Sequence, residues 1–300
     1  MDSTSPNIGF KGKMKNYMVF TKFRLSALVI VSALSGYLFV GGSDWSELTY
    51  LLVGGLLITA ASNGSNQIWE RELDILMKRT ENRPLPQGSM SIIEAYTVVV
   101  FSLITGTALL LLINLPSALL GLLAYVLYVF AYTPMKRISP WAVFVGAIPG
   151  AIPPMLGAIA CTGEFGLIPG ILFFVQFTWQ FPHFWAIAWV AYDDYKAGGF
   201  SLLPSKHGKS KNSAYQIVVW SIVLIPFSLL PWALGTSGIC SMIIVTLLGI
   251  GFFYYAYKLL LTCDDKDARK LMFASFLYLP IVQFAYVFDR NLDVIESLLK

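Results

Sequence analysis

Long apolar runs separated by short polar segments dominate this chain, and the apolar positions do not alternate with polar ones. A run of about 20 apolar residues is long enough to cross a bilayer. Only helices and closed barrels satisfy every backbone group in lipid, and barrel strands would alternate. The pattern therefore predicts nine transmembrane helices, at about residues 25–42, 48–67, 92–113, 116–134, 141–161, 166–190, 214–234, 239–260 and 271–288.

Composition agrees with an all-α polytopic membrane protein. Of the 300 residues, 56% are hydrophobic and 13% are charged, whereas about a quarter of the residues of a soluble domain are charged. Three widely spaced cysteines and two histidines argue against a disulfide scaffold and against a multi-histidine metal protein. We expect one membrane domain over residues 1–300, with a basic N-terminal segment at 1–24 that lacks a signal-peptide pattern.

The basic residues predict the orientation. With the N-terminus inside, all 21 lysines and arginines except Arg290 and Lys300 fall on the inner side, as the positive-inside rule requires. The net charge of +4 then reflects topology in a lipid bilayer, and we expect no nucleic-acid partner. The longest inner loops, 68–91 and 191–213, hold most of the candidate chemistry.

The first of these loops follows a row of oxygen-bearing side chains. Asn66, Glu70 and Asp74 are spaced four apart, so they share one helix face. Two carboxylates and an amide are suitable ligands for a hard cation such as Mg²⁺. Lys78, Arg79 and Arg83 follow, and such residues bind phosphate. The stretch predicts a metal–phosphate site at a membrane surface.

The second loop repeats the order of acids and bases on the same side of the membrane. Asp193 and Asp194 end the sixth predicted span, and Lys196 follows them. Either loop alone also fits a solvated helix cap. Two such loops on one side favour a pair of acidic clusters whose Mg²⁺ ions bridge a pyrophosphate.

These motifs resemble those of the UbiA-type intramembrane prenyltransferases. The segment from Asn66 to Pro84 resembles the first motif of that superfamily, and Asp193–Lys196 resembles the second. Four further segments, at 132–137, 146–154, 180–185 and 194–200, resemble the protoheme IX farnesyltransferases (haem O synthases) within it. Glu70 is a departure, because the superfamily usually has aspartate there and glutamate carries the carboxylate farther out.

The resemblance implies transfer of a farnesyl group from farnesyl diphosphate to a vinyl group of haem B. Nine helices would enclose a cavity open to lipid. The implied catalytic residues are Asn66, Glu70, Asp74, Asp193, Asp194 and Lys196, all but the last also ligands of Mg²⁺. The implied diphosphate contacts are Lys78, Arg79, Arg83, Lys136 and Arg137, and the implied haem contacts are His183 and Trp185. A bacterial inner membrane with a cytoplasmic active site, and a downstream haem A synthase as partner, are also implied.

Aromatic faces can stabilise the allylic cation that forms when the carbon–oxygen bond of the diphosphate ionises. The candidates are Tyr128, Tyr132, Phe181, Trp185 and Tyr195. Alternatives remain open. His183 also fits a hydrogen-bonded interior residue, and Pro149, Pro153 and Pro154 fit an ordinary bend of the fifth span. The whole chain also allows prenylation of an aromatic quinone precursor, a transporter or an assembly factor without catalysis.

Overall fold

The computed structural model describes residues 9–299, and the described residues fold into helices joined by short loops. In chain order the helices are α1 Phe10–Phe20, α2 Phe23–Phe39, α3 Trp45–Asp74, α4 Ile92–Leu111, α5 Leu115–Met135, α6 Ala142–Thr162, α7 Leu167–Val190, α8 Tyr192–Ala197, α9 Lys211–Ala233, α10 Ile239–Thr262, α11 Asp265–Phe288 and α12 Leu292–Leu299. The prediction of an all-helical, multi-pass membrane protein is confirmed at this level.

The number of spans agrees only in part with the nine predicted. Within residues 9–299, seven helices are long and apolar enough to cross a membrane, or eight if α1 and α2, which meet at a 51° bend, form one span. Every predicted apolar run has its own helix. Helix α7 is not among the seven, because Gln176, Gln180 and His183 lower its mean hydropathy. Nine crossings and an inner N-terminus stay predictions.

Two helices extend farther into polar sequence than the apolar runs predicted. Helix α3 continues to Asp74, beyond the predicted end at 67, because Glu70 and Asp74 face an interior cavity while Arg71 and Glu72 on the opposite side stay exposed. Helix α11 begins at Asp265 rather than at 271, and the Asp264 side chain caps it by accepting a hydrogen bond from the Lys266 backbone N–H. Side-chain oxygens at a helix start satisfy N–H groups that the helix itself leaves free.

Helices α2 and α6 touch through their backbones. A Cβ atom on Gly36 would overlap the Pro154 carbonyl, and one on Gly157 would overlap the Ala33 carbonyl. Small residues allow such close approach between membrane helices. This contact fixes α2 beside the cavity wall that α6 provides.

Helix α6 stays a single helix despite three internal prolines. Pro154 has no N–H to donate to the Gly150 carbonyl four residues earlier. The Gln176 side chain of α7 donates to that carbonyl instead, at 2.6 Å, and itself accepts a hydrogen bond of 2.8 Å from Gln283 of α11. Gln180 of α7 donates to the Ala147 carbonyl at 2.8 Å. Amide side chains thus tie three helices around the cavity.

Candidate functional site

A cavity of about 570 Å³ lies between the helices, with a charged end and a longer apolar part. The charged end collects side chains from the junction of α1 and α2, from α3 and the loop after it, and from the residue that follows α5. Its ionisable and amide lining residues are Lys22, Asn66, Glu70, Asp74, Arg79, Arg83 and Lys136. The apolar part includes Gly55 of α3, Leu110 of α4 and Gly121 of α5 in its lining.

Helix α3 presents its three oxygen-bearing residues to this cavity, as their spacing predicts. Asn66, Glu70 and Asp74 have exposed fractions of only 2%, 4% and 0%. Burying carboxylates is costly unless cations or hydrogen-bond donors face them. The surroundings of these residues therefore decide whether the site is stable.

Two ion pairs supply the compensating charge. Arg83 Nη1 donates to both carboxylate oxygens of Asp74, at 2.8 and 2.6 Å. Lys136 Nζ contacts Glu70 Oε1 as an ion pair without hydrogen-bond geometry. Lys136 is itself 7% exposed, so this second pair is almost entirely removed from water. The cavity thus holds anionic and cationic groups in direct contact.

Asn66 is oriented by neighbours on both sides. Its Oδ1 accepts a long hydrogen bond of 3.4 Å from Lys22 Nζ, and its Nδ2 donates to Thr133 Oγ1 at 3.3 Å. Sequence reasoning missed Lys22 as a site residue and counted it only among the inner bases. Its position directly before the first apolar run was the available signal, because a base there lies at the depth of the helix ends.

The second inner loop reaches the charged end through aromatic residues. The Arg79 guanidinium lies 4.8 Å from the centre of the Tyr195 ring, on α8. Lys136 Nζ lies 5.1 Å from the ring centres of Tyr132 and Phe200. Cations at such distances over aromatic faces are attracted to the ring. Both loops therefore meet at the cavity mouth, as their side of the membrane predicts.

The acids of the second loop do not join those of the first in this arrangement. Asp193 and Lys196 are exposed and Asp194 is half-buried, and within residues 9–299 the cavity lining contains none of the three. Across the described chain, no three acidic, histidine or cysteine side chains lie close enough to hold a metal ion. Helix α8 directs Tyr195 inward and its acids toward the rim. Ligation by Asp193 and Asp194 stays a prediction.

Of the remaining site residues predicted from the sequence, some line the cavity and others do not. Lys78 and Arg137 are exposed and stand outside the lining that the described chain provides. Trp185 is 6% exposed and packs in the core, where its Nε1 has no hydrogen-bond partner among the described residues. Of the aromatic candidates for cation stabilisation, Tyr128, Tyr132 and Tyr195 line the cavity. Phe181 packs in the core.

A π-helical segment, Leu127–Tyr132, places two of these aromatic residues. Tyr128 and Tyr132 stand on it with ring centres 5.3 Å apart, and both line the cavity. The wider turn of a π-helix shifts the helix face by one residue, and such segments occur frequently at functional sites. The apolar pattern of this span gave no sign of it.

His183 lines a different part of the same cavity. The imidazole is 8% exposed and stacks on Trp179, with ring centres 4.2 Å apart and planes at 17°. Its Nδ1 lies 2.7 Å from Ser275 Oγ on α11. The carboxylates of α3 and an imidazole on α7 therefore line the same cavity.

Comparison with known proteins identifies the family of this chain. The model of the UbiA prenyltransferase family matches residues 29–279, which is most of the chain. The chain belongs to the UbiA prenyltransferase family. The resemblance inferred from the two loop motifs is thus confirmed, and the chain is a membrane-bound prenyltransferase.

Curated relatives share the finer resemblance. A protoheme IX farnesyltransferase of Cytophaga hutchinsonii is 50% identical over 277 residues, which cover 91% of this chain and 97% of that protein. A protoheme IX farnesyltransferase of Christiangramia forsetii is 44% identical, with 92% and 94% of the two chains covered. The resemblance to protoheme IX farnesyltransferases, inferred from the four finer segments, is therefore confirmed by similarity over nearly the whole chain.

Solved structures of UbiA proteins share the fold. A structure concerned with digeranylgeranylglyceryl phosphate synthase superposes with a TM-score of 0.77 at 22% identity, covering 95% of this chain and 99% of that one. A UbiA homologue from Archaeoglobus fulgidus bound to DMAPP and Mg²⁺ gives a TM-score of 0.63 at 18% identity, with 91% and 99% covered. At these identities the likeness concerns the fold alone.

Proposed function

We propose that this UbiA protein transfers the farnesyl group of farnesyl diphosphate to a vinyl group of haem B. The supporting observation is the single cavity that joins a charged end on α3 with an imidazole on α7. A prenyl diphosphate needs cations at its head and apolar walls along its tail, and a porphyrin iron can take an imidazole ligand. The relatives of this chain carry the name of that activity over more than nine-tenths of its length.

The overall reaction balances with water. The bond between the farnesyl carbon and the diphosphate oxygen breaks, and pyrophosphate leaves with the bonding electrons. The allylic carbon forms a new bond to the terminal carbon of the vinyl group. Water then adds its oxygen to the other vinyl carbon and releases a proton, which gives the hydroxyethylfarnesyl group of haem O.

The donor set at the end of α3 fits a magnesium–diphosphate complex. Asn66, Glu70 and Asp74 offer amide and carboxylate oxygens, the ligands that Mg²⁺ prefers, to one cavity. We assign Asp193 and Asp194 to the same metal set, reached when the second loop moves inward over the bound diphosphate. When bound, Mg²⁺ would neutralise charge on the leaving pyrophosphate.

Basic residues around these oxygens are positioned to hold the diphosphate. Lys136 and Arg83, now paired with Glu70 and Asp74, can rotate toward phosphate oxygens, and Arg79 stands at the mouth. Preorganised cations at the site of developing negative charge stabilise a transition state. We assign Lys78, Arg137 and Lys196, which are exposed, to the capture of the diphosphate from the aqueous side.

The apolar part of the cavity suits the prenyl tail. Its α3 wall runs from Glu70 to Gly55, a helical distance of about 22 Å at 1.5 Å per residue. Leu110 and Gly121 also line it. Beside the head group, the faces of Tyr128, Tyr132 and Tyr195 can stabilise the allylic cation.

The imidazole end suits the acceptor. We assign His183 to the haem iron, with Trp179 as a flat neighbour of the porphyrin, and retain Trp185 as support for the wall behind it. In the cell we place the protein in a bacterial inner membrane, with the site on the cytoplasmic side and a haem A synthase using its product. The named relatives favour this activity over prenylation of an aromatic acid, transport or a structural role.

Incubation of the purified protein with farnesyl diphosphate, Mg²⁺ and either haem B or 4-hydroxybenzoate tests the proposal. We expect haem B to gain the mass of one farnesyl group and one hydroxyl group, and 4-hydroxybenzoate to stay unmodified. Omission of Mg²⁺ should abolish product in the first reaction. Prenylation of 4-hydroxybenzoate without modification of haem B would overturn the assignment of the acceptor.

A further inference from the structure

We propose that Ser275 is a positioning residue that fixes the tautomer of His183, so that the Nε2 lone pair faces the cavity as a ligand atom. The role of this lone pair rests on the proposed function, because a haem iron binds an imidazole through an unprotonated nitrogen. The tautomer itself follows from the hydrogen bonds and can be measured without any substrate.

The hydrogen bonds of one hydroxyl determine where the imidazole proton lies. Ser275 Oγ lies 2.6 Å from the Met272 carbonyl oxygen and 2.7 Å from His183 Nδ1. Two oxygens 2.6 Å apart repel unless a proton lies between them, and the carbonyl has none to give. The single proton of the hydroxyl therefore points to Met272. His183 Nδ1 must then be the donor to Ser275, since the hydroxyl has only lone pairs left.

The opposite nitrogen is consequently unprotonated. No hydrogen bond from within residues 9–299 reaches His183 Nε2, and this atom is not among the fully enclosed unpaired polar atoms. His183 lines the cavity, so the bare nitrogen is accessible from that space. A neutral imidazole with a free nitrogen is the form that binds iron or other metals.

Ser275 also constrains the orientation of the ring. Its backbone carbonyl accepts a hydrogen bond of 3.1 Å from Trp179 Nε1, and Trp179 stacks on His183. The Phe276 ring meets the imidazole on another side, with centres 5.1 Å apart and planes at 76°. One residue of α11 thus fixes both the imidazole and the indole that lies against it. Metal-binding histidines commonly donate their second nitrogen to a polar partner, which orients the ring and raises its basicity.

Nitrogen-15 NMR of the full chain labelled at histidine measures the tautomer directly. The sequence has two histidines, so the His207→Gln variant leaves only the signals of His183. We expect the shifts of a neutral imidazole with a proton on Nδ1 and none on Nε2. In Ser275→Ala we expect a mixture of tautomers, and in Ser275→Thr, which keeps the hydroxyl, the original spectrum.

A matched serine controls for general effects of losing a hydroxyl. Ser221 on α9 is fully buried and donates to the Ile217 carbonyl at 2.8 Å, as Ser275 donates to Met272. Ser221→Ala should leave the histidine spectrum unchanged. A proton on Nε2 in the wild-type chain, or a spectrum of Ser275→Ala identical to the wild type, would overturn the inference.

Titration with haem B separates this inference from the proposed function. We expect Ser275→Ala to bind haem about 10- to 100-fold more weakly, the usual cost of losing the partner of a metal-binding histidine, and to lower the iron–histidine stretching frequency. If His183→Ala leaves haem binding and its spectrum unchanged, the assignment of His183 to iron is wrong, whatever the tautomer. If the wild-type chain forms no farnesylated haem, the proposed function fails while the NMR result for Ser275 still stands.

Discussion

The two acidic motifs of this chain look alike in sequence but differ in structure. Asn66, Glu70 and Asp74 extend a long helix into the cavity, and ion pairs hold both carboxylates before any ligand arrives. Asp193 and Asp194 stand on the six-residue helix α8, at the rim and without such pairs among the described residues. In the proposed mechanism, one half of the diphosphate site is therefore preorganised and the other half is completed by movement.

Asp74→Ala should produce the largest effect. It removes a candidate metal ligand and leaves the Arg83 guanidinium without its carboxylate partner, so we expect product formation to fall by about 10³-fold. Breaking one side of a buried ion pair should also lower the free energy of unfolding by about 3–5 kcal/mol. Asp74→Asn keeps the shape and one oxygen that can accept from Arg83, so it should lose activity with a smaller loss of stability than Asp74→Ala. Mass spectrometry of the haem product and thermal unfolding in detergent are the measurements.

A neighbouring acid on the same helix provides the control for that change. Glu72 has a side chain that is 84% exposed, so Glu72→Gln should leave activity and unfolding temperature unchanged. Equal losses in Glu72→Gln and Asp74→Asn would show that charge on this helix matters and that the cavity position does not.

Asp194→Asn should reduce product formation by about 10²-fold without lowering the unfolding temperature. Within residues 9–299 the half-buried carboxylate forms no ion pair, so its removal should matter only when diphosphate and Mg²⁺ are present. We expect a higher Mg²⁺ concentration at half-maximal rate. If Asp74→Asn and Asp194→Asn both retained full activity, the metal–diphosphate mechanism would be falsified.

The contact between the two loops should have a smaller effect. Tyr195→Leu removes the ring that faces the Arg79 guanidinium, and a cation–aromatic contact contributes about 0.5–2 kcal/mol. We expect about a tenfold loss in kcat/KM, with Tyr195→Phe close to the wild type. An equal loss in both variants would assign the effect to the hydroxyl instead of the aromatic face.

The exposed bases should contribute least. Lys78→Ala is expected to change kcat/KM by less than about threefold at physiological salt, because exposed charges contribute at most about 1 kcal/mol and are screened. Arg79→Ala, at the cavity mouth, is the matched comparison and should lose more. A larger loss in Lys78→Ala at every salt concentration would mean that the first loop rearranges over the diphosphate.

Much of the fold follows from the pattern of apolar residues. Each predicted run corresponds to a helix, because a segment of about 20 apolar residues has few alternatives in lipid. The ends were less predictable. Helix α3 continues to Asp74, because tertiary ion pairs allow polar residues to remain helical inside the protein. The short helix Tyr192–Ala197 lies in polar sequence and had no apolar signal. Leu292–Leu299 has an apolar face but is far too short for a span.

The sequence predicted which residues of α3 line the site but not which residues form ion pairs with them. Four-residue spacing correctly placed Asn66, Glu70 and Asp74 on the cavity face. It could not show that Glu70 faces Lys136, which is 66 positions later in the chain, because such contacts depend on how α5 packs against α3. On α8, the residue that lines the cavity is Tyr195 and not the predicted Asp193 or Asp194. The orientation of that helix, which the sequence does not specify, decides which of its residues face the cavity.

The hydrogen bond from Gln176 to the Gly150 carbonyl has a consequence for the synthesis of this protein. A backbone carbonyl without a donor costs several kcal/mol in hydrocarbon, and Pro154 leaves Gly150 in that state until α7 lies beside α6. The two helices are adjacent in sequence and joined by only a few residues. We therefore expect them to enter the bilayer together as a hairpin, and Gln176→Leu to slow membrane insertion of this pair more than that of other neighbouring helices.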